Sequence, residues 1–238
     1  MMGSTVEDSQ RAWAKVAGFA LLAIIVAGFA GMFFQSVSGP GSTVQNILAH
    51  ERRYRVGLAC EFVMLNNDIL LAVALYGLLK RVDAPLALLG ALWRFANAMV
   101  LAVGIAAALT GLELLGIGHE ATVFRADQLQ ELGGQFLHMH IAASPIGLFF
   151  WSMGAAVHSY LLWASRYLPR VLSGAYFAVA FMIFVGCFAI MISPAIQAAI
   201  DPWFVLPDLP VELALALWLT IKGATIPPGA PSWQSQDG

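Results

Sequence analysis

Two charged side chains lie inside apolar stretches of the sequence at positions where they can meet. Asp68 stands near the middle of the stretch over residues 56–79, and Arg94 lies about ten residues into the next stretch. The turn between the two stretches is very short, so antiparallel helices would bring Asp68 and Arg94 to nearly the same depth. Amide side chains could fill their remaining hydrogen-bonding positions: Asn66, Asn67 and Asn97. The pattern predicts either a structural clasp between two helices or the charged floor of a ligand cavity.

Glu61, His140 and Glu212 form a second group of titratable residues, spread over three apolar stretches. Each lies about one helical turn inside its stretch, so three helices would carry an acid or an imidazole at one depth. Glu61 and Asp68 lie two turns apart on one helix face, roughly 10 Å along the axis. If the helices close around that face, a polar shaft would connect this group to Asp68 and Arg94.

Three kinds of chemistry fit the second group. A protonated carboxyl group in an apolar surround can protonate an alkene or an epoxide, or carry protons, with Glu61 or Glu212 as the acid and His140 as its partner. A metal site is the second, but the spacing of His138 and His140 points the two rings to different helix faces, and no metal is predicted. The third is structural, because polar groups near helix ends form hydrogen bonds without any further role.

Other familiar site patterns are missing from the sequence. It has no phosphate-binding glycine loop, no nucleophile elbow and no kinase or P-loop signature, so no cofactor is predicted. The formal net charge of -2 provides no basic surface for nucleic acid. His158, near the end of its apolar stretch, is interpreted as a hydrogen-bonded packing residue.

The composition indicates that membrane helices hold these residues. The chain has 238 residues, of which 60% are hydrophobic and only 11% charged, whereas a soluble domain carries about a quarter charged residues. Its mean hydropathy is +0.78. The apolar stretches are continuous and about 20 residues long, which suits a membrane-spanning helix and not a barrel strand. We therefore expect an all-α polytopic membrane protein.

Six transmembrane helices are predicted, within a domain over residues 13–223. They cover residues 13–34, 56–79, 85–115, 136–163, 171–192 and 207–221. Short interfacial helices over residues 44–55 and 124–132 are expected in the two outer loops. Residues 1–12 form a polar N-terminal segment, and residues 224–238 a disordered tail rich in Pro, Gly, Ser and Gln.

Lys and Arg residues near the helix ends predict the orientation in the membrane. Seven lie on the side of the N-terminus: Arg11, Lys15, Lys80, Arg81, Arg166, Arg170 and Lys222. Four lie on the other side: Arg52, Arg53, Arg55 and Arg125. This bias places the N-terminal segment and the tail in the cytoplasm.

A series of short motifs runs through nearly all of the predicted spans. They are Asn46-Ile47-Leu48-Ala49 with Glu51, Arg55 and Gly57; Leu75-Tyr76 with Leu78; Arg94; Gln128-Leu129-Gln130; His140; Phe149-Phe150; Leu168-Pro169-Arg170; and Glu212 with Leu217-Trp218-Leu219 and Lys222-Gly223. In order and spacing the chain, over about residues 12–223, resembles a bacterial family catalogued as domain of unknown function 4386. It departs from the family at Ile141-Ala142-Ala143, where the family tends to have glycines. The resemblance implies a multi-span inner-membrane protein and supplies no activity, because the family has none assigned.

Two hypotheses from different classes follow from these patterns. The first is a membrane enzyme or binder that acts on a small lipophilic molecule, similar in layout to small membrane terpene cyclases that use carboxylic acids on different helices. Its catalytic residues would be Glu61, Glu212 and His140, and its ligand-binding residues Asp68, Arg94, Asn67 and Asn97. The second is a proton-coupled transporter or a non-catalytic accessory protein, in which the same groups carry protons or hold helices together. Membrane lipids and the lipophilic substrate are the expected partners.

Overall fold

The computed structural model of the protein describes residues 2–37, 43–116, 124–193, 195–196, 200 and 204–224. All regular secondary structure within these residues is helical. The helices are α1 (Met2–Gln35), α2 (Thr43–Ala49), α3 (Glu51–Leu79), α4 (Ala84–Gly116), α5 (Ala126–Ser165), α6 (Arg170–Ile192) and α7 (Asp208–Ile221). The predicted disordered tail lies outside the described residues, except for Ala224.

Five of the described helices are long and apolar enough to cross a membrane: α1, α3, α4, α5 and α6. Their outward faces carry large apolar side chains, as in Val171, which is 85% exposed, and Val26, which is 69% exposed. An apolar exterior of this extent is typical of a surface that contacts lipid. The chain is therefore a multi-pass membrane protein.

The predicted sixth span is represented by α7, which is shorter than the other five. Its 14 residues correspond to roughly 21 Å at 1.5 Å per residue, whereas the hydrocarbon core of a bilayer is about 30 Å thick. The length of α7 alone does not make it a span, so the count of six is not established by helix length.

The predicted interfacial helix over residues 124–132 is wrong, because this segment belongs to α5. The helix is continuous from Ala126 to Ser165 and passes through Pro145. Gly133 does not end it, since Gly133 packs against the backbone of α4 at Gly111 and the close packing holds the helix there. In the other loop, α2 covers only Thr43–Ala49, and the arginines predicted for the interfacial helix belong to α3.

The helices pack into a ring. Along the chain α1 contacts α3, α3 contacts α4, α4 contacts α5 and α5 contacts α6, while α7 contacts both α6 and α1. The short α7 thus closes the ring between the last and the first spanning helix. Side chains that point inward from α3, α4, α5, α6 and α7 meet in its interior.

The seam between α4 and α5 is formed by residues that recur every seven positions, most of them glycines. Antiparallel pairing matches Gly111 with Gly133, Gly104 with His140, Asn97 with Gly147, and Gly90 with Gly154. A Cβ atom on Gly111 would lie 2.8 Å from the carbonyl oxygen of Gly133, so the two backbones are in direct contact. A repeat of seven keeps one face of each helix toward its partner along the whole length. The seam therefore fixes the positions of Asn97 and His140 within the ring.

Candidate functional site

Arg94 lies at the centre of the ring with no exposed surface. Its Nη2 atom lies 2.6 Å from Asp68 Oδ1, and its Nε donates to the same oxygen at 2.8 Å. Asn97 donates from Nδ2 to Asp68 Oδ2 at 2.9 Å. The ion pair expected from the sequence is present, and both oxygens of Asp68 are occupied.

Two aromatic side chains complete the surroundings of the guanidinium group. Arg94 Nη1 donates to the hydroxyl oxygen of Tyr176 at 3.1 Å, and the guanidinium carbon lies 5.9 Å from the centre of the Trp151 ring. The Trp151 and Tyr176 rings meet edge to face, with centres 6.2 Å apart. Tyr176 was not predicted, because a lone tyrosine in an apolar helix gives no spacing signal. We call Asp68, Arg94, Asn97, Tyr176 and Glu212 the Arg94 cluster.

Glu212 joins this cluster from α7. It is only 7% exposed, and its electrostatic neighbours include Arg94 and Asp68. Its Oε1 atom is buried and has no hydrogen-bond partner among the described residues. Asp208 lies one turn earlier on the same face of α7, and its Oδ1 is likewise buried without a described partner. The sequence analysis missed Asp208, although its spacing from Glu212 was a usable signal.

This placement of Glu212 differs from the prediction that it lies at the depth of Glu61 and His140. Glu61, on α3, packs beside the last turns of α1: a Cβ on Gly31 would be 3.6 Å from the backbone nitrogen of Glu61. α7 instead packs beside the earlier part of α1, where a Cβ on Gly18 would lie 2.7 Å from the nitrogen of Thr220. Because α7 is short, its first turn lies deeper than a full-length span would place it.

Glu61 and His140 form a separate group on α3 and α5. His140 Nε2 lies 3.0 Å from Glu61 Oε2, which also accepts from Gln35 Nε2 at 3.0 Å. On the other side of the His140 imidazole, the hydroxyl of Tyr54 lies 3.3 Å from Nδ1. Donation from His140 Nε2 to Glu61 and from the Tyr54 hydroxyl to His140 Nδ1 would satisfy all these contacts. We call Gln35, Tyr54, Glu61 and His140 the Glu61 cluster; Gln35 and Tyr54 were not predicted.

Asn67 does not join either cluster. Its Nδ2 donates to the carbonyl oxygen of Val63 in its own helix at 2.9 Å, and Asn66 donates in the same way to Phe62 at 2.7 Å. These two amides therefore form hydrogen bonds within α3. Among the described residues, only Asn97 donates an amide hydrogen bond to Asp68.

His158 is fully buried, yet neither of its ring nitrogens has a hydrogen-bond partner among the described residues. The interpretation of His158 as a hydrogen-bonded packing residue is therefore wrong for the described structure. The ring lies against Gly90, where a Cβ atom would be 2.7 Å from its Nε2. Arg94 is its electrostatic neighbour. The lack of a side chain at Gly90 makes room for the histidine, and a positive charge on it would be opposed by Arg94.

A polar cavity of about 280 Å³ opens at the first turns of α5, and no member of either cluster lines it. It is lined by Val44, Asp127, Gln130, Glu131, Gly134, Gln135 and His138. Across the described ranges, no three His, Cys, Asp or Glu side chains are grouped closely enough to hold a metal ion. The polar groups of the two clusters are carboxyl, guanidinium, imidazole, phenol and amide groups.

Comparison with known proteins identifies a family and nothing closer. Neither the curated proteins nor the solved structures contain a match to this chain. One family model does match, and it covers residues 16–223, which includes every residue of both clusters. The chain therefore belongs to the family described as domain of unknown function 4386.

Proposed function

We propose that this protein binds a small lipophilic molecule inside the helix ring, with Glu212 as the polar group that contacts it. One observation carries the proposal: Glu212 Oε1 is buried and has no hydrogen-bond partner among the described residues. A buried polar atom without a partner costs about 1 to 3 kcal/mol. A ligand that supplies a hydrogen bond to Glu212 would remove this cost, while the apolar interior receives the rest of the molecule.

A conversion of the bound molecule by acid chemistry is the fuller form of this proposal. A protonated carboxyl group in an apolar site can transfer its proton to an alkene or an epoxide, as in the membrane terpene cyclases that the layout resembles. Glu212 is the acid: its O–H bond breaks as the alkene electron pair or the epoxide oxygen takes the proton. The positive charge passes to the substrate, and the negative charge left on Glu212 is stabilised by Arg94, while Asp68 and Arg94 form the floor of the site. Glu61 and His140, at a different depth, act as a second acid and its partner.

The proposed setting is the inner membrane of a bacterium, crossed six times with both ends of the chain in the cytoplasm. The closure of the ring by α7 supports the sixth crossing, because α7 occupies a helix position between α6 and α1. The positive-inside bias of the sequence supports the orientation.

The binding proposal is tested by what copurifies with the protein. The wild type, Glu212→Gln and Glu113→Gln are purified in the same detergent, and the small molecules extracted from each are profiled by mass spectrometry. Glu113 is an exposed acid near the end of α4, so its variant is the matched control. The proposal expects a lipophilic compound enriched with the wild type and with Glu113→Gln, and lost with Glu212→Gln. Equal profiles for all three would overturn it.

The Glu61 cluster supports a second candidate, a proton-coupled transporter. His140 and Glu61 share a hydrogen bond at 3.0 Å and lie at a different depth from Glu212, so titratable groups occupy two levels of the ring. Protein reconstituted in vesicles would then move protons when substrate is present, and Glu61→Gln would slow the flux. No difference in flux between the wild type and Glu61→Gln would argue against transport.

A further inference from the structure

The charges buried around Arg94 would not balance if all the neighbouring acids were ionised. Three carboxyl groups lie in this part of the ring, those of Asp68, Asp208 and Glu212, against the one guanidinium of Arg94. Arg94 is the only base among the electrostatic neighbours described for Asp208 and Glu212. Its contact with Asp68 at 2.6 Å already forms an ion pair. The two acids of α7 therefore have no cation of their own within the described residues.

Asp208 and Glu212 are also arranged to meet one donor group. They lie one helical turn apart on the same face of α7, which brings their side chains about 5 to 6 Å apart at Cβ. Asp208 Oδ1 and Glu212 Oε1 are both buried acceptors without a described partner, and Glu212 itself is 93% buried, since 7% of it is exposed. The site thus offers two buried acceptor atoms that have no hydrogen-bond partner among the described residues.

We propose that the pair Asp208 and Glu212 binds the protonated amine of a lipophilic molecule. This rests on the proposed function, and it names the class of ligand. A primary ammonium group has one positive charge and several N–H donors, so it can donate to both acceptors and balance one ionised acid while the other keeps its proton. The apolar part of the ligand would lie among the buried residues that continue the same helix face, Leu215 and Leu219.

A metal ion is a poorer occupant of this site. A divalent ion with oxygen ligands takes at least six donors, whereas α7 offers two carboxyl groups. The guanidinium of Arg94 would also repel a divalent ion about twice as strongly as a singly charged ammonium group at the same distance. An organic ammonium group needs fewer protein ligands than a metal ion, because a few hydrogen bonds to the two acids can hold it without a full coordination sphere.

Binding of a matched pair of probes tests the proposal. The probes are monodansylcadaverine, which has a lipophilic dansyl group and a primary amine, and its N-acetyl derivative, which lacks the charge. Fluorescence titration uses the full chain in nanodiscs of phosphatidylcholine, a lipid with no net charge. We expect the amine to bind about 30-fold more tightly than the acetylated probe, which corresponds to about 2 kcal/mol at 1.4 kcal/mol per tenfold.

Variants then show whether the preference for the amine probe depends on Asp208 and Glu212. Glu212→Gln and Asp208→Asn should each reduce the preference for the amine to a few fold at most, whereas Glu113→Gln should keep it. The comparison of the two probes on the wild type needs no variant, so it stays decisive if a substitution prevents folding. Equal affinity for both probes would overturn the proposal that the site binds a protonated amine. A preference for the amine that is unchanged in Asp208→Asn and Glu212→Gln would overturn it as well. A neutral compound that copurifies only when Glu212 is intact would support the proposed binding function and would contradict the proposal that the ligand is an amine.

Discussion

Arg94 Nη2 lies 2.6 Å from Asp68 Oδ1, and both residues are buried in the interior of the helix ring. The two residues sit at similar distances from the short turn between α3 and α4, so the antiparallel helices bring them together. The bond from Asn97 and the contact with Tyr176 then hold the pair in one geometry. This ion pair is the fixed element around which the other polar groups of the cluster are placed.

Removal of one partner should destabilise the protein strongly, because the other charge would remain buried. We expect Asp68→Asn to lower the free energy of unfolding by about 3 to 5 kcal/mol. Asp68→Leu combined with Arg94→Met should recover most of this loss, since the guanidinium that Asp68→Asn leaves without its partner is then absent as well. Unfolding by SDS in mixed micelles, followed by circular dichroism, measures both. A double variant as unstable as Asp68→Asn would contradict the prediction.

The seam between α4 and α5 should not tolerate a methyl group at Gly111. A Cβ there would lie 2.8 Å from the backbone oxygen of Gly133, which cannot move without separating the helices. Overpacking of this kind costs about 1 to 3 kcal/mol. Gly116→Ala in the same helix is the matched control, because a Cβ at Gly116 would meet nothing within 4 Å. Thermal unfolding in detergent should show a lower midpoint for Gly111→Ala and no loss for Gly116→Ala; equal midpoints would contradict the packing.

The Glu61 cluster should behave as a coupled network. Glu61→Gln and His140→Gln are each expected to destabilise the protein, and the double variant by less than their sum, with a coupling energy of about 1 kcal/mol or more. Tyr54→Phe removes the longer contact of 3.3 Å and should cost about 0.5 to 1.5 kcal/mol. The same SDS titration provides these values. Strict additivity of Glu61→Gln and His140→Gln would show that their hydrogen bond contributes nothing.

Six crossings and five crossings predict different positions for the two ends of the chain. An even number of spans places both ends on one side of the membrane, and an odd number places them on opposite sides. Cys60 and Cys187 are both free, and they can be replaced by alanine before single cysteines are introduced at Ser4 and Ser235. An impermeant maleimide added to intact spheroplasts should label neither position if six spans are correct and both ends are cytoplasmic. Labelling of position 235 alone would favour five.

The sequence predicted the helices and the pairing of Asp68 with Arg94 because both depend on local signals. Apolar stretches mark the helices, and a short turn between two of them fixes the depth of residues on either side. His140 was placed beside Glu61 by the same count of helical turns, and the structure brings them together at 3.0 Å. Such counts succeed where each helix spans the whole membrane.

The same count failed for Glu212 because α7 is a short helix. A depth measured from the start of an assumed full span places Glu212 near the surface, whereas the packing of α7 beside the early part of α1 places it with Arg94. Tyr176 and Gln35 were missed for another reason. Each is a single polar residue whose role depends on which face of its helix points inward, and that follows from tertiary packing rather than from local sequence.

An experimentally determined structure of the protein in lipid nanodiscs tests the central claim most directly, through the density beside Glu212. We expect Glu212 to face the ring interior near Arg94, with non-protein density within hydrogen-bonding distance of its carboxyl group and of Asp208. A Glu212 side chain that points into the lipid, or an interior filled by protein side chains with no space beside that carboxyl group, would contradict the claim that this cluster binds a ligand.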